Sequence, residues 1–378
     1  MRNDNVQKKL IQVDFNPWYF ICNMQCQYCI PHYQYRVEGN RIYIRLPGEK
    51  ERFYARIDHL FIRAFQVLKK LSEEYEVGIL TFSGTEAFLF DSIFTLLQQI
   101  KKMFSKIQII TNGLNLSETY IKRLKELNDL NNISITLSLD GYNEETNFSR
   151  TGHDKEKLSK ILHSLDLLIK YEISFDVYTV ITKYNIRKLE DFFRYIEEKK
   201  TGCGIQVWPV FGNNNLEPCK EDIVYLELLL QKYDTFQLAL QPKVYYQYMI
   251  QYLKTKKRML PCYLPYCSFY LRDNGNIKAC LCNGIEDVGN IFEQRHEILY
   301  DKPFYQEILS VERQKMPCNK CFINWDIFNL YFENLLDTNE IQNIPLFQQP
   351  HFINIIKKVK QQVVEMKKGR EHGTLYAK

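Results

Sequence analysis

The sequence predicts an α/β protein: a partial (β/α)6 TIM-like barrel, a smaller cysteine-rich domain after it, and a terminal helix. Three observations predict this. Short β-branched runs alternate with segments of helical period from residue 11 to 211. The composition changes at "GNNNLEPC" (212–219). The cysteines fall mainly into two fields, one behind the first strand and one between residues 262 and 321.

The strands expected are 11–15, 77–84, 107–113, 132–140, 173–182 and 204–211, rich in Ile, Val and Thr. Between them, Ile57, Leu60, Phe61, Ala64, Phe65, Leu68 and Leu71 recur at helical spacing. So do Leu158, Ile161, Leu162, Leu165, Leu168 and Ile169, behind a cap at Asp154. Six such repeats with right-handed crossovers form a parallel sheet that curls, with its chemistry at the C-terminal strand ends. After the 212–219 linker, helices are expected near 220–232 and 240–256. In "FYLRDNGNIKAC" the "DNG" is a turn between two alternating runs, which predicts a hairpin. Phe352, Ile355, Ile356, Val359, Val363 and Met366 give the 345–368 segment one apolar face, with lysines opposite. The domains expected are therefore 1–211, 212–260, 261–330 and 331–378.

The 378 residues are 45% hydrophobic and 25% charged, enough for a sizeable core. The net charge of +5 is spread along the chain without a basic run, which speaks against nucleic acid as the partner. "MRNDNVQKKLIQVDF" has no apolar signal core, and "AFLFDSIFTLL" (87–97) is too short to span a bilayer. A cytoplasmic protein with no membrane partner is expected. There, eleven cysteines read as metal ligands or catalysts before disulfides.

"ICNMQCQYCI" places Cys22, Cys26 and Cys29 within eight positions. Three thiolates do not complete a tetrahedral zinc site, though His32 would supply a fourth ligand. A cubic iron–sulfur cluster held by three thiols instead leaves one iron open to a substrate or cofactor. The stretch "CNMQCQYC" resembles the CxxxCxxC signature of the radical S-adenosylmethionine (radical SAM) enzymes, including the Asn after the first Cys and the aromatic, Tyr28, before the last. The resemblance extends over roughly 11–211. It implies that Cys22, Cys26 and Cys29 ligate a [4Fe–4S] cluster and that S-adenosylmethionine (SAM) chelates its open iron. Reductive cleavage then yields a 5′-deoxyadenosyl radical that abstracts hydrogen.

The other positions the resemblance assigns to SAM lie at strand ends. "SGTE" (83–86) is similar to the family's GGEP motif, with Ser83 in place of the first Gly and Ala87 in place of the Pro. It implies SAM-binding roles for Ser83, Gly84 and Glu86, the acid meeting the ammonium. Asn112 of "TNG" is implied in SAM contact, Ser138 of "LSLDG" in holding the ribose, and Arg150 in pairing with the carboxylate.

In the second field, Cys262, Cys267, Cys280, Cys282, Cys318 and Cys321 surround the expected hairpin. A hairpin with thiols at each end and a distant CxxC can close around one four-ligand centre, and zinc is one such centre. The stretch also resembles the SPASM/twitch domain of radical SAM enzymes, in its shorter twitch form, since no cysteine follows Cys321. That implies one auxiliary [4Fe–4S] cluster on Cys262, Cys280, Cys318 and Cys321. Cys267 and Cys282 are then spare, and either is a candidate hydrogen-atom donor, with Cys203 and Cys219 as weaker ones. His32, His59 and His153 read as structural or surface groups.

The functional expectation is an oxidoreductase-type radical SAM enzyme that matures a ribosomally made peptide by crosslinking or epimerisation. A flavodoxin or ferredoxin would donate the electron. With 21 residues before Cys22, no N-terminal leader-binding domain is expected. The alternatives are a small-molecule dehydrogenase or epimerase acting on aminosugar-like substrates, and a zinc-stabilised binding protein.

Overall fold

The computed structural model describes residues 8–18, 21–29, 34–45, 50–199, 202–280, 287–293, 307–312, 314–315 and 317–371, the last with side chains to 365. His32 and Cys282 lie outside the described residues, and the Met366 side chain with them. All six expected strands form: β1 (Lys8–Asn16), β5 (Tyr75–Phe82), β6 (Ile107–Thr111), β7 (Ile133–Ser138), β8 (Phe175–Ile181) and β9 (Gly204–Pro209). Each is Val/Ile-rich and buried on both sides, as a helix-covered parallel strand must be. The helices Ile57–Glu74 and Lys155–Lys170 bury their predicted stripes, and Asp154 caps the second by accepting from the Lys157 backbone N–H. The linker leads to helices Ile223–Gln231 and Lys243–Thr255.

Two features were not anticipated. Gln34–Glu38 (β2), Arg41–Arg45 (β3) and Arg52–Arg56 (β4) form a separate antiparallel sheet between the first cysteine loop and the first long helix. Its signal was Gly39-Asn40 between two alternating runs, with Gly39 at φ +56°. The second is how far the main sheet extends. Its order is β10-β9-β8-β7-β6-β5-β1-β11-β12-β13, where β10 is Ala239–Leu240, β11 Ser268–Arg272, β12 Asn276–Lys278 and β13 Asp287–Asn290. The predicted hairpin is β11–β12, turning through Gly275 at φ +86°. Strand β11 also pairs in parallel with β1, from Gln12 opposite Ser268 to Asn16 opposite Arg272. The cysteine-rich hairpin therefore continues the barrel sheet.

The two faces of this sheet differ. A Cβ added to Gly78 would sit 2.9 Å from Phe352 Cδ2, because the helix Pro350–Glu371 packs on the outside of β1 and β5. The opposite, inner face is polar. Gln12 donates to Thr81 Oγ1 (3.2 Å), Thr81 to Gln108 Oε1 (2.9 Å), and Gln108 to Thr136 Oγ1 (2.8 Å) and the Tyr178 hydroxyl (3.0 Å). Tyr178 is also hydrogen-bonded to Asn324. Buried side-chain amides and hydroxyls that satisfy one another in this way fix strand register without desolvation loss.

The terminal helix is held by aromatic packing: Phe352 stacks on Phe347 (5.2 Å between centroids) and meets Phe328 edge-on (5.9 Å). Phe352→Ala is expected to destabilise the fold by about 3–5 kcal/mol, measured by urea denaturation. A loss below about 1 kcal/mol would mean that the helix docks without this ring.

Candidate functional site

The first cysteine loop leaves the C-terminal end of β1 and is clipped down by the end of β5. The Glu86 backbone N–H donates to Ile21 O (3.1 Å), and the Thr85 hydroxyl donates to the same carbonyl. Asn16 Nδ2 donates to Gly84 O (3.2 Å), and Gly84 takes φ +73°, which the tight strand-to-loop turn requires. On the far side, the Gln27 backbone N–H donates to Ser149 O (2.8 Å). Among the three thiols, Cys26 is buried, Cys22 partly so and Cys29 exposed. Asn112 Nδ2 donates to Cys22 Sγ (3.5 Å) and to Asn23 Oδ1 (2.8 Å), tying the "TNG" turn to the loop.

Burial, and then the nearby Glu86 charge, push the Cys22 thiol up to about 12. Burial pushes Cys26 up to about 12 against the pull of Arg150. Both thiols are thus protonated near neutrality, and metal loading must release those protons.

Glu86 is 1% exposed and its carboxylate already takes three donors: Thr111 Oγ1 (2.8 Å) and the Phe88 N–H (3.1 Å) on Oε1, and the Asn112 N–H (2.8 Å) on Oε2. Desolvation raises its pKa against those bonds. In this structure Glu86 therefore braces the ends of β5 and β6.

Arg150 is equally committed. It donates to Asp140 Oδ1 (2.9 Å), while Tyr28 donates to Asp140 Oδ2 (2.6 Å). Its Nε is buried without a hydrogen-bond partner, close enough to Cys26 to influence the thiol. An orphaned cationic donor of this kind fits an anionic group, carboxylate or thiolate-bound cluster. Ser138 ends β7 half-buried, and the Ser83 hydroxyl donates to Asp14 Oδ1 (3.1 Å).

In the second field, Cys262, Cys280, Cys318 and Cys321 line one small cavity with Arg258, Leu264, Pro265, Ile308 and Ile323. Among the described residues no three His, Cys, Asp or Glu side chains converge closely enough for one metal ion. Four thiols that line one cavity without converging on a single point suit a polynuclear cluster better than a single zinc ion, which draws its ligands to about 2.3 Å. The Cys267 thiol is off this lining, 1% exposed, and donates to Tyr263 O (3.4 Å) and Leu264 O (3.6 Å). Cys203 is buried, Cys219 points at Asp222 (3.1 Å), and His59 and His153 are exposed.

The two fields occupy opposite ends of the β1–β11 ladder. The first loop follows Asn16, whereas Cys262 precedes β11 and Cys280 follows β12, level with the start of β11.

Three functional-looking residues were missed. Asp140 joins Tyr28 and Arg150, and its sequence signal is the acid closing "LSLD". Arg258 reaches the cavity without any motif. Asp14 is a partly exposed carboxyl on the inner barrel face, and a charge inside "IQVDF" was signal enough.

A radical SAM superfamily profile matches residues 16–196. That stretch, a little under half of the chain, is where this sequence is similar to the radical SAM superfamily, and it contains the three-thiol loop. It is 26% identical over 224 residues to an S-adenosylmethionine-dependent nucleotide dehydratase of Lacinutrix mariniflava, covering 57% of this chain and 42% of that protein. It is also 26% identical over 187 residues to a cysteine-type anaerobic sulfatase-maturating enzyme of Clostridium perfringens, covering 47% of this chain and 46% of that protein. The matched part is thus under half of either relative's length. The solved structure of native anSMEcpe with bound AdoMet and a Cp18Cys peptide superposes on 92% of this chain and 99% of that one, with a TM-score of 0.56 at 17% identity, a likeness of fold. No described helix is long and apolar enough to cross a membrane.

Burial raises the Asp14 pKa to about 7, against the hydrogen bonds from Ser83 and Gln12. The folded chain then keeps this proton up to about pH 7, while the unfolded chain releases it near 3.8, so stability falls as pH rises between those values. Both donors bind Oδ1, which an amide retains. Asp14→Asn is therefore expected to gain up to about 4 kcal/mol on the parent between pH 4 and pH 8, read by urea denaturation at each pH. Parallel stability curves for the two proteins would rule out a raised Asp14 pKa.

Proposed function

We propose that this chain is a radical SAM peptide-modifying enzyme with one auxiliary cluster. The reading is carried by one observation: a four-thiol cavity beside β11, the strand that pairs with β1, whose following loop bears Cys22, Cys26 and Cys29. When bound, the three-thiol cluster and SAM supply a 5′-deoxyadenosyl radical that takes a hydrogen atom from a substrate carbon. The chain's own groups hold and orient these cofactors. Asn112 fixes the Cys22 sulfur, and Tyr28 and Asp140 hold Arg150, whose free Nε receives the SAM carboxylate. Glu86 keeps its second Oε2 lone pair for the ammonium, which the backbone of Ser83 and Gly84 also meets, while Ser138 lies on the ribose side. Cys262, Cys280, Cys318 and Cys321 hold the auxiliary cluster, and Cys267 or Cys282 is the candidate hydrogen donor. The domain limits 1–211, 212–260, 261–330 and 331–378 follow from this assignment, as do a cytoplasmic location and a flavodoxin or ferredoxin donor.

A peptide substrate is supported by the peptide-bound anSMEcpe structure, whose likeness extends over the C-terminal region as well as the barrel. It is supported again by the sulfatase-maturating relative. A second reading, a nucleotide substrate, is favoured by the nucleotide dehydratase match.

Anaerobic reconstitution is expected to give about eight irons per chain with 5′-deoxyadenosine formed from SAM under dithionite. Cys318→Ala should lower the iron to about four and leave SAM cleavage in place. Zinc without 5′-deoxyadenosine would overturn the reading. Stimulation of SAM cleavage by nucleotide triphosphates but not by cysteine- or serine-bearing peptides would transfer it to the second substrate class.

A further inference from the structure

The charged group nearest the second cysteine field has no role in anything described so far. Arg258 lines the four-thiol cavity, yet its side chain is 2% exposed. It is fixed from three directions: Nε donates to Leu260 O (2.8 Å), Nη1 to Cys321 O (3.0 Å), and Nη1 and Nη2 grip the Asp326 carboxylate. Asp326 is 0% exposed and is held in turn by the Ile323 N–H (2.8 Å) and Asn329 Nδ2 (2.7 Å). The pair is oriented. Asp326 is absent from the lining of the thiol cavity; together with Arg258 it borders a second, smaller cavity with Tyr248, Met259, Leu260 and Phe322. Of the two charges, only the cation reaches the cavity that the sulfurs line.

A guanidinium pinned in a water-poor interior acts on a neighbouring charge far more strongly than one in solvent. A cluster held by four thiolates is anionic, and each added electron makes it more so. Net charge and the surrounding polar groups are what set such a cluster's potential. We propose that Arg258, oriented by Asp326, is a potential-setting residue that stabilises the reduced auxiliary cluster and makes it the better electron acceptor. The step concerned is a one-electron reduction: an external low-potential reductant loses the electron, and no bond or proton moves. The inference rests on the four cysteines holding that cluster.

The test isolates the auxiliary cluster by combining Cys22→Ala, Cys26→Ala and Cys29→Ala. That background should retain about four irons per chain, and its midpoint potential is read by dithionite titration followed by electron paramagnetic resonance. Arg258→Met is expected to lower the potential, Arg258→Lys to leave it near the parent value, and Asp326→Asn to raise it. A clamp with a structural role alone would lose iron or leave the potential unmoved, without opposite shifts for the two partners. Retained iron with no shift, or with both shifts in one direction, overturns the role of Arg258. Should Arg258→Met not fold, Asp326→Asn decides alone, since an unmoved or lowered potential contradicts the proposal. Absence of iron from the triple-alanine background would instead overturn the auxiliary-cluster reading itself.

Discussion

The parallel ladder between β1 and β11 is the constraint on which the rest of the molecule depends. It joins residues more than 250 positions apart, from Gln12 and Ser268 to Asn16 and Arg272. Parallel strands cannot be joined by a tight turn, so the whole barrel is the crossover between them. Because β1 lies between β5 and β11, each of its ends acquires a neighbour with chemistry. The C-terminal end meets the "SGTE" turn of β5, which clips the first cysteine loop by the Ile21 carbonyl. The other end lies level with the cysteines that flank the hairpin. Shifting this ladder by one residue would turn Gln12, Asp14 and Asn16 outward and dismantle both fields.

Between the two ends runs the polar inner face, from Ser83 and Asp14 through Gln12, Thr81, Gln108 and Tyr178 to Asn324, three residues beyond Cys321. A barrel closed by apolar side chains would be more stable per residue but would insulate one site from the other. Here buried carboxyls carry distinct duties according to their partners. Asp140 and Asp326 hold arginines, Glu86 gathers backbone and hydroxyl donors, and Asp14 has only neutral donors and keeps its proton. Desolvation raises the pKa of Glu86 and of Asp14 against the hydrogen bonds each accepts.

The strands and the helical stripes were legible because periodicity is a local signal: "NISITLSLD" or the 57–71 stripe needs no distant partner to be read. The three-thiol loop and the cysteine field around the hairpin were visible through type and spacing, and the structure brings Cys262, Cys280, Cys318 and Cys321 to one cavity. The β2–β4 sheet was harder, since Arg36, Arg41, Arg45, Arg52 and Arg56 interrupt its apolar positions and it stands apart from the main sheet. The place of β11 in the barrel sheet could not be read, because a non-local parallel pairing leaves no periodic trace. Arg258 and Asp326, 68 residues apart, form a pair only once two loops meet. The resemblance assigned Glu86 and Arg150 to the cofactor, and the protein partners that already occupy most of their hydrogen-bonding capacity emerged only from the three-dimensional arrangement.

The terminal helix has a consequence for biogenesis. It seats Phe352 against Gly78 of β5, so the outside of that strand stays bare until the chain has grown from Gly78 to Phe352. The first cysteine loop and its β5 clip are complete once the chain reaches Glu86, whereas the second field waits for Cys321. A nascent chain can therefore present a nearly finished first cysteine loop on a half-covered barrel, and the helix Pro350–Glu371 then seals an apolar flank that until that point can pair with other chains.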